Sequence, residues 1–396
     1  MIRYGSLFSQ VLGLVDRNKF AGLVKEVGGE KNAKGFTCWD QLVSMLFCQL
    51  AQARSLREIV DGLACCEGKL THLGLTSAPA RSTLSYANAH RPWTLYEKLF
   101  YQLLETIRPW APGKKFRFKN KLLSLDATVV DLCLSMFDWA KYRQTKGAIK
   151  LHLLLDHDGY LPVFAHLTDG KTHEIDIAKL IEFPSGSIVV MDRAYTDYQL
   201  FEAWTRQGIF FVTRMKDNAN YCGVDDRQRP IGGHIMYDRP IELNPLHFPR
   251  DRKCKEVLRR IEVWIPEKDE NLVLLTNIKH LAASTIAAIY KDRWQIELFF
   301  KALKQNLKIK TFVGTSANAV HIQIWTALIA MLLLKLLQFR SSIHWALSNL
   351  IALIRWNLFT YRDLWTWINK PFQTPPISPD NPQLLLNLDS IRPAPS

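Results

Sequence analysis

Three acidic residues of this 396-residue chain stand where carboxylates can do phosphate chemistry, each in a different kind of local sequence. Asp126 lies inside LLSLDATVVDL, where alternation puts Leu123, Leu125 and Ala127 on one strand face and Ser124, Asp126 and Thr128 on the other. Asp192 closes the apolar run SIVVMD, the pattern of a strand buried on both faces, and α/β sites are built at the carboxyl ends of such strands. Glu297 belongs to YKDRWQIELFFKALKQNLKIK, in which helical spacing lines up Tyr290, Arg293, Glu297, Lys301 and Lys304 as one narrow polar stripe. Ile289, Ile296, Phe299, Phe300, Leu303 and Leu307 form the opposite, apolar face that would hold this helix to a sheet. Oxygen donors from two strands and a helix suit a pair of Mg²⁺ ions, and two such ions about 4 Å apart can activate a hydroxyl and stabilise a leaving oxygen. The stripe's cations and phenol would then follow a phosphate backbone while Glu297 faces the metal. Plainer readings stand beside these: each aspartate as a hydrogen-bonded strand or cap residue, and the stripe as a solvated face of i,i+4 ion pairs.

The background fits a polyanionic partner. Lys and Arg number 51 against 37 Asp and Glu, a net charge of +14, and the isoelectric point is near 9.4. Seven cysteines without a C-x-x-C pair offer neither a disulfide framework nor a zinc knuckle and point to a reduced intracellular compartment. Neither G-x-x-x-x-G-K-[ST] nor G-x-G-x-x-G occurs, which weakens nucleotide and dinucleotide readings. Asp16 and Lys19 interrupt the N-terminal apolar run, so no export signal is expected. The apolar run Ile324 to Leu334 is shorter than a membrane span and reads as a buried core helix.

These residues need a scaffold, and periodicity outlines one. Helical spacing runs from Phe8 to about Thr106, with a polar helix near Arg81 to Arg91 whose Arg81, Ser82, Asn88, His90 and Arg91 could enter a DNA groove. RPWAPGKKFRFKNK then carries six basic residues and no acid, making Lys114, Lys115 and Arg117 candidates to face phosphate. The expected divisions are 1–120, a helical DNA-binding domain with its basic linker; 121–216 and 278–315, two parts of a mixed-sheet α/β catalytic domain; 217–277, a β-rich insertion; 316–370, C-terminal helices; and 371–396, a disordered tail holding seven of the 18 prolines.

At this point the chain resembles the DDE transposases of bacterial insertion sequences marked by the signature Y-x2-R-x3-E-x6-K, which Tyr290, Arg293, Glu297 and Lys304 match without a gap. Asp126 and Asp192 resemble the first and second family aspartates, at intervals of 192 − 126 = 66 and 297 − 192 = 105, the longer one holding the insertion. Ala194 departs from the glycine of many relatives. The resemblance implies a ribonuclease H-like fold, two Mg²⁺ ions with Mn²⁺ as a substitute, and a catalytic, metal-binding triad of Asp126, Asp192 and Glu297. It implies double-stranded DNA as partner, both element ends and target, a synaptic homodimer, a hairpin intermediate and a bacterial, cytoplasmic, nucleoid-associated protein away from membranes. It also implies that a tryptophan of the insertion can stack on a flipped base; Trp264 is the candidate, although core packing is the favoured role for it. The rivals are a structure-selective nuclease of the same fold and a non-catalytic transposase-derived DNA-binding protein.

Overall fold

Alternation and burial dictate the central strand. In β1 (Leu122–Leu132) the first four residues are buried, Asp126 to Val129 are less covered, and Val130 and Leu132 are buried again, so the strand first opens at the aspartate. The computed structural model describes residues 5–373 apart from 32, 67, 133–140, 144–145, 225–233, 244–253, 308 and 310–311. The Pro-rich segment expected to be disordered therefore lies almost wholly outside the described residues.

β1 pairs antiparallel with β3 (Lys146–Asp156), which also takes the short β2 (Lys141–Arg143) and pairs antiparallel with β4 (Leu161–Asp169). On its other side β1 runs parallel to β5 (Ile188–Met191), and β5 runs parallel to β6 (Phe210–Arg214). The crossovers are the helices α8 (Glu174–Leu180) and α9 (Tyr198–Arg206). The order β4-β3-β1-β5-β6, antiparallel then parallel, is consistent with the ribonuclease H-like sheet the resemblance implies. The β-rich insertion supplies β7 (Tyr221–Gly223), β8 (Ile235–Leu243), β9 (Leu258–Ile265) and β10 (Glu270–Thr276). It does not stand apart: β10 pairs antiparallel with β6, so the insertion prolongs the same sheet. The expected hairpin is β9–β10, turned through Asp269 at φ 52.

Before the sheet come α1 (Leu7–Leu12), α2 (Arg17–Val27), α3 (Cys38–Ala51), α4 (Leu56–Ala64), α5 (Leu70–Leu73), α6 (Arg81–His90) and α7 (Thr94–Ile107). Side chains of Ser6, Asp16, Thr37 and Ser55 accept first-turn N–H groups and set where four of them begin. After the sheet come α10 (Ala283–Asp292), α11 (Trp294–Asn306), α12 (Ala317–Arg340), α13 (Leu347–Asn357) and α14 (Leu364–Asn369). α12 is apolar on every side, as a fully buried helix must be, and 94% of its most apolar window is buried in the protein although its length and composition would suit a membrane.

Packing is continuous across residue 120. α12 lies against α3, α6 and α7, and one hydrophobic core joins Leu42, Leu46, Phe100 and Leu103 to Trp325, Leu328 and Leu332 and to Leu151 and Leu153 of the sheet. The segments before α1 and before α14 also meet: Leu7 N–H donates to Thr360 O at 3.0 Å, and Ser6 bridges Tyr361. The N-terminal helices pack on one another and share their core with helices more than 200 residues later. The opposite sheet face packs Leu123, Leu125, Val189 and Met191 on α8 and α9 residues, while Leu122, Ile188 and Val190 pack with Ile286 and Ile289 of α10.

Candidate active site

The register of two strands brings the first pair of carboxylates together. Leu125 of β1 is paired with Met191 of β5 in parallel, so the next residue on each strand is an aspartate, Asp126 and Asp192, at the same end of adjacent strands. Each is fixed by a local backbone N–H: Asp126 Oδ1 accepts from Ala127 at 2.8 Å, and Asp192 Oδ1 accepts from Arg193 at 2.6 Å. Glu297 arrives from the first turn of α11. Its Oε1 accepts from Arg293 Nη1 at 2.8 Å, and the same Nη1 lies 3.7 Å from Asp126 Oδ2. Burial pushes the Asp126 carboxyl up to about 7; the Ala127 N–H and Arg293 oppose this, and Glu297 and Asp192 add to it. The buried hydroxyl of Tyr195 has no hydrogen-bond partner and is pushed up by burial first and by the charges of Asp126, Glu174 and Asp192 after it.

Oxygen donors are what a hard divalent cation takes, and Glu297 Oε2 is buried without a partner, so this donor set fits Mg²⁺ in kind. Among the described residues no three His, Cys, Asp or Glu side chains stand at mutual ligating distance. Between Asp126 and Glu297 the cation is the Arg293 guanidinium.

The transposase DDE domain family matches residues 117–333, from the basic linker through most of α12. The chain belongs to the DDE transposase family. It is 31% identical over 310 residues to y4zB of Sinorhizobium fredii, which bears a transposase name, covering 77% of this chain and 83% of that one. It is 25% identical over 338 residues to a Geobacillus stearothermophilus protein named for the insertion sequence IS5377, covering 85% of each. Residues 4–76 match a family described only as a domain of unknown function. Among solved structures, the piggyBac transposase in a synaptic complex with hairpin DNA aligns over 93% of this chain and 81% of its own, at 10% identity and a TM-score of 0.45, too loose a likeness to assign the fold.

The signature segment of this DNA transposase is not one helix. α10 ends at Asp292 and α11 starts at Trp294, with Arg293 at the junction, where Arg293 N–H donates to Tyr290 O and Ile296 N–H to Arg293 O in tightened i→i+3 bonds. The stripe is correspondingly divided. Arg293, expected along a phosphate strand, is turned inward onto the carboxylates in the DNA-free chain, with its guanidinium 5.4 Å from the centre of the Tyr290 ring. Lys304 Nζ donates to Val129 O of β1 at 2.9 Å. Lys301 is exposed and lines a different cleft, with Trp110 and Lys335.

Trp264 is not core either. It is half-buried and lines a cavity of about 820 Å³ with Tyr290, Trp294, Arg214 and His234, because β9 faces α10 there without filling the gap. The expectation of core packing missed this, since the strand's alternation shows a side and not what covers it.

The N-terminal candidates separate in the same way. Asn88 is 1% exposed and its Oδ1 accepts from Gln41 Nε2 at 2.8 Å, so it cannot read a base edge. Arg91 donates to the Phe36 and Thr37 carbonyls and ties the end of α6 to the start of α3. Arg81 does remain on the surface, in a cleft shared with Arg54, Arg57, Ser82 and Ser85 at the starts of α4 and α6. Sequence reading passed over Arg54 and Arg57; two arginines flanking a Ser-capped helix start were the available signal.

In the linker, Lys114 donates to Lys119 O at 2.6 Å and Arg117 is exposed, but Lys115 is drawn to Asp292 at 2.5 Å. Asp292 also holds His157 Nδ1 at 2.7 Å and the Tyr160 hydroxyl at 3.1 Å, and His157 Nε2 lies 2.7 Å from Ser124 Oγ. Ser124 is fully buried, so this Ser-His-Asp chain has no approach for a substrate. It is a brace between β1 and the helix junction. Burial raises the Asp292 carboxyl, yet its His157 and Lys115 hydrogen bonds outweigh that and leave it lowered. Asp292→Ala is expected to cost about 2–4 kcal/mol at neutral pH by stranding these donors, a loss that shrinks as the wild-type carboxyl protonates below about pH 4. Urea unfolding of both proteins at two pH values measures it; equal midpoints at pH 7 would show the brace to be dispensable.

Proposed function

We propose that Asp126, Asp192 and Glu297 are the catalytic, metal-holding groups with which this transposase nicks the ends of its insertion sequence. Hairpin formation, release of the ends and joining of the 3′-hydroxyl to target DNA follow, within a synaptic homodimer. One observation carries the reading: the β1–β5 register sets two aspartates side by side at one sheet end, and Glu297 meets Asp126 there through a shared guanidinium. Two Mg²⁺ ions, or Mn²⁺ in their place, would be held by these three carboxylates and, when bound, supply an activated hydroxyl and stabilisation of the leaving oxygen.

The chain's own groups do the rest. Burial holds the Asp126 carboxyl at about 7, so a cation held beside it would favour its ionised form. The half-buried Tyr290, close enough to Asp192 to feel its charge, positions a phosphate, and Lys304, on the same helix as Glu297, follows the strand beyond it. The cavity lined by Trp264 and Trp294 offers two aromatic faces to an unstacked base. Each single change of Asp126, Asp192 or Glu297 to Ala should abolish Mg²⁺-dependent cleavage of end DNA while leaving end binding largely intact. Full cleavage by Asp192→Ala would remove the assignment.

End binding itself is placed on the cleft of Arg54, Arg57 and Arg81, together with Lys114 and Arg117. Each arginine changed to Ala should weaken binding to any sequence and lower the slope of log affinity against log salt by about one. A salt slope unchanged in the triple variant would move the contact elsewhere.

A further inference from the structure

We infer that Arg293 is the resident counterion of the carboxylate site and that it must withdraw from Glu297 for a divalent cation to enter. The inference rests on the reading of Asp126, Asp192 and Glu297 as the metal site and adds to it a competition between two cations for one carboxylate. Among the described residues, the ion pairs of Asp126 and Glu297 are both made with Arg293. That side chain is 13% exposed, so its charge is balanced by these carboxylates more than by water.

The pairing is only half made. Arginine and a carboxylate bind most firmly as a two-pronged fork, but here Nη1 alone serves both acids. Arg293 Nε and Glu297 Oε2 are both buried without a partner. Buried polar atoms left open weaken an arrangement that could have been complete, so the salt bridge is one that a better ligand can displace. Its backbone setting supports this: Arg293 occupies the break between α10 and α11, anchored from behind by the braced Asp292. The guanidinium lies over the Tyr290 ring, which offers it a face to rest on when the carboxylates are taken. A metal ion taken up by the Glu297 carboxylate, even at its open Oε2, would lie close to the guanidinium 2.8 Å from Oε1, and the two like charges repel.

Mn²⁺ binding to the DNA-free full-length protein, read by calorimetry or by electron paramagnetic resonance of free Mn²⁺, tests the competition. Arg293→Gln should bind Mn²⁺ about tenfold tighter than wild type, and equal or weaker binding overturns the proposal. Asp126→Asn and Glu297→Gln separate the two layers: if neither weakens Mn²⁺ binding, the metal-site reading fails and takes the competition with it. If both weaken it while Arg293→Gln leaves it unchanged, only the counterion role fails. A second measurement needs no destabilising variant. In wild-type protein with ¹⁵N-labelled arginine, the Arg293 side-chain resonance, assigned with Arg293→Lys, should shift with the same midpoint as Mg²⁺ binding; a resonance unmoved at saturation overturns the proposal.

Discussion

Asp126→Asn is expected to lower strand cleavage by about 10³-fold or more and, without metal, to make the protein more stable at neutral pH. Both effects have one origin. The folded chain holds the Asp126 carboxyl at about 7, chiefly by burial, whereas an unfolded aspartate titrates near 4. Between those values the native state keeps a proton that the unfolded state has lost. Stability owed to this group is therefore full below about pH 4 and is lost as pH rises through about 7. Above that, the ionised side chain costs on the order of 2–4 kcal/mol, which an asparagine of the same shape does not incur. Thermal unfolding should show the variant ahead of wild type at pH 8, with the gap closing towards pH 4 and narrowing when Mg²⁺ is added to wild type. A gap independent of pH would mean that Asp126 is not strained in the fold.

Trp325→Ala should be among the most damaging changes outside the site, at about 3–5 kcal/mol. The indole is 1% exposed and packs against Phe100 and Tyr101 at ring distances of 5.3 and 6.0 Å. It fastens α12 to α7, so the loss is felt by helices at both ends of the sequence. Removing α12 altogether leaves Leu42, Leu46 and Phe100 facing water, and a fragment of residues 1–120 is expected to be unfolded or aggregated. Circular dichroism and solubility of that fragment check the point; a soluble, cooperatively melting fragment would restore an independent helical domain. End binding by the N-terminal cleft therefore has to be measured in the full chain.

Two strand positions were legible because a strand's buried run is a local signal: β1 and β5 lie where the runs around Asp126 and Val190 put them. Asp126 and Asp192 were legible for the same reason, each sitting where a buried run stops. The break at Arg293 was not, since helical spacing continues through it and its brace reaches His157 and Lys115, 135 and 177 residues away. Asn88 and Arg91 looked like groove-facing groups because polarity is visible in sequence and a partner such as Gln41 or the Phe36 carbonyl is not. The composition of α12 announced burial without saying against what, so its packing on α3, α6 and α7 was not legible.

The closure of Leu7 and Phe8 on the backbone of Thr360 and Leu358, with Gln10 bonded to Arg362 across 352 residues, sets an order of events in the cell. Helices near residue 10 wait for those near residue 360, and contacts of such separation form late and slowly. A nascent or prematurely terminated chain exposes the apolar faces of α3 and α7 to chaperones and proteases before it can grip DNA.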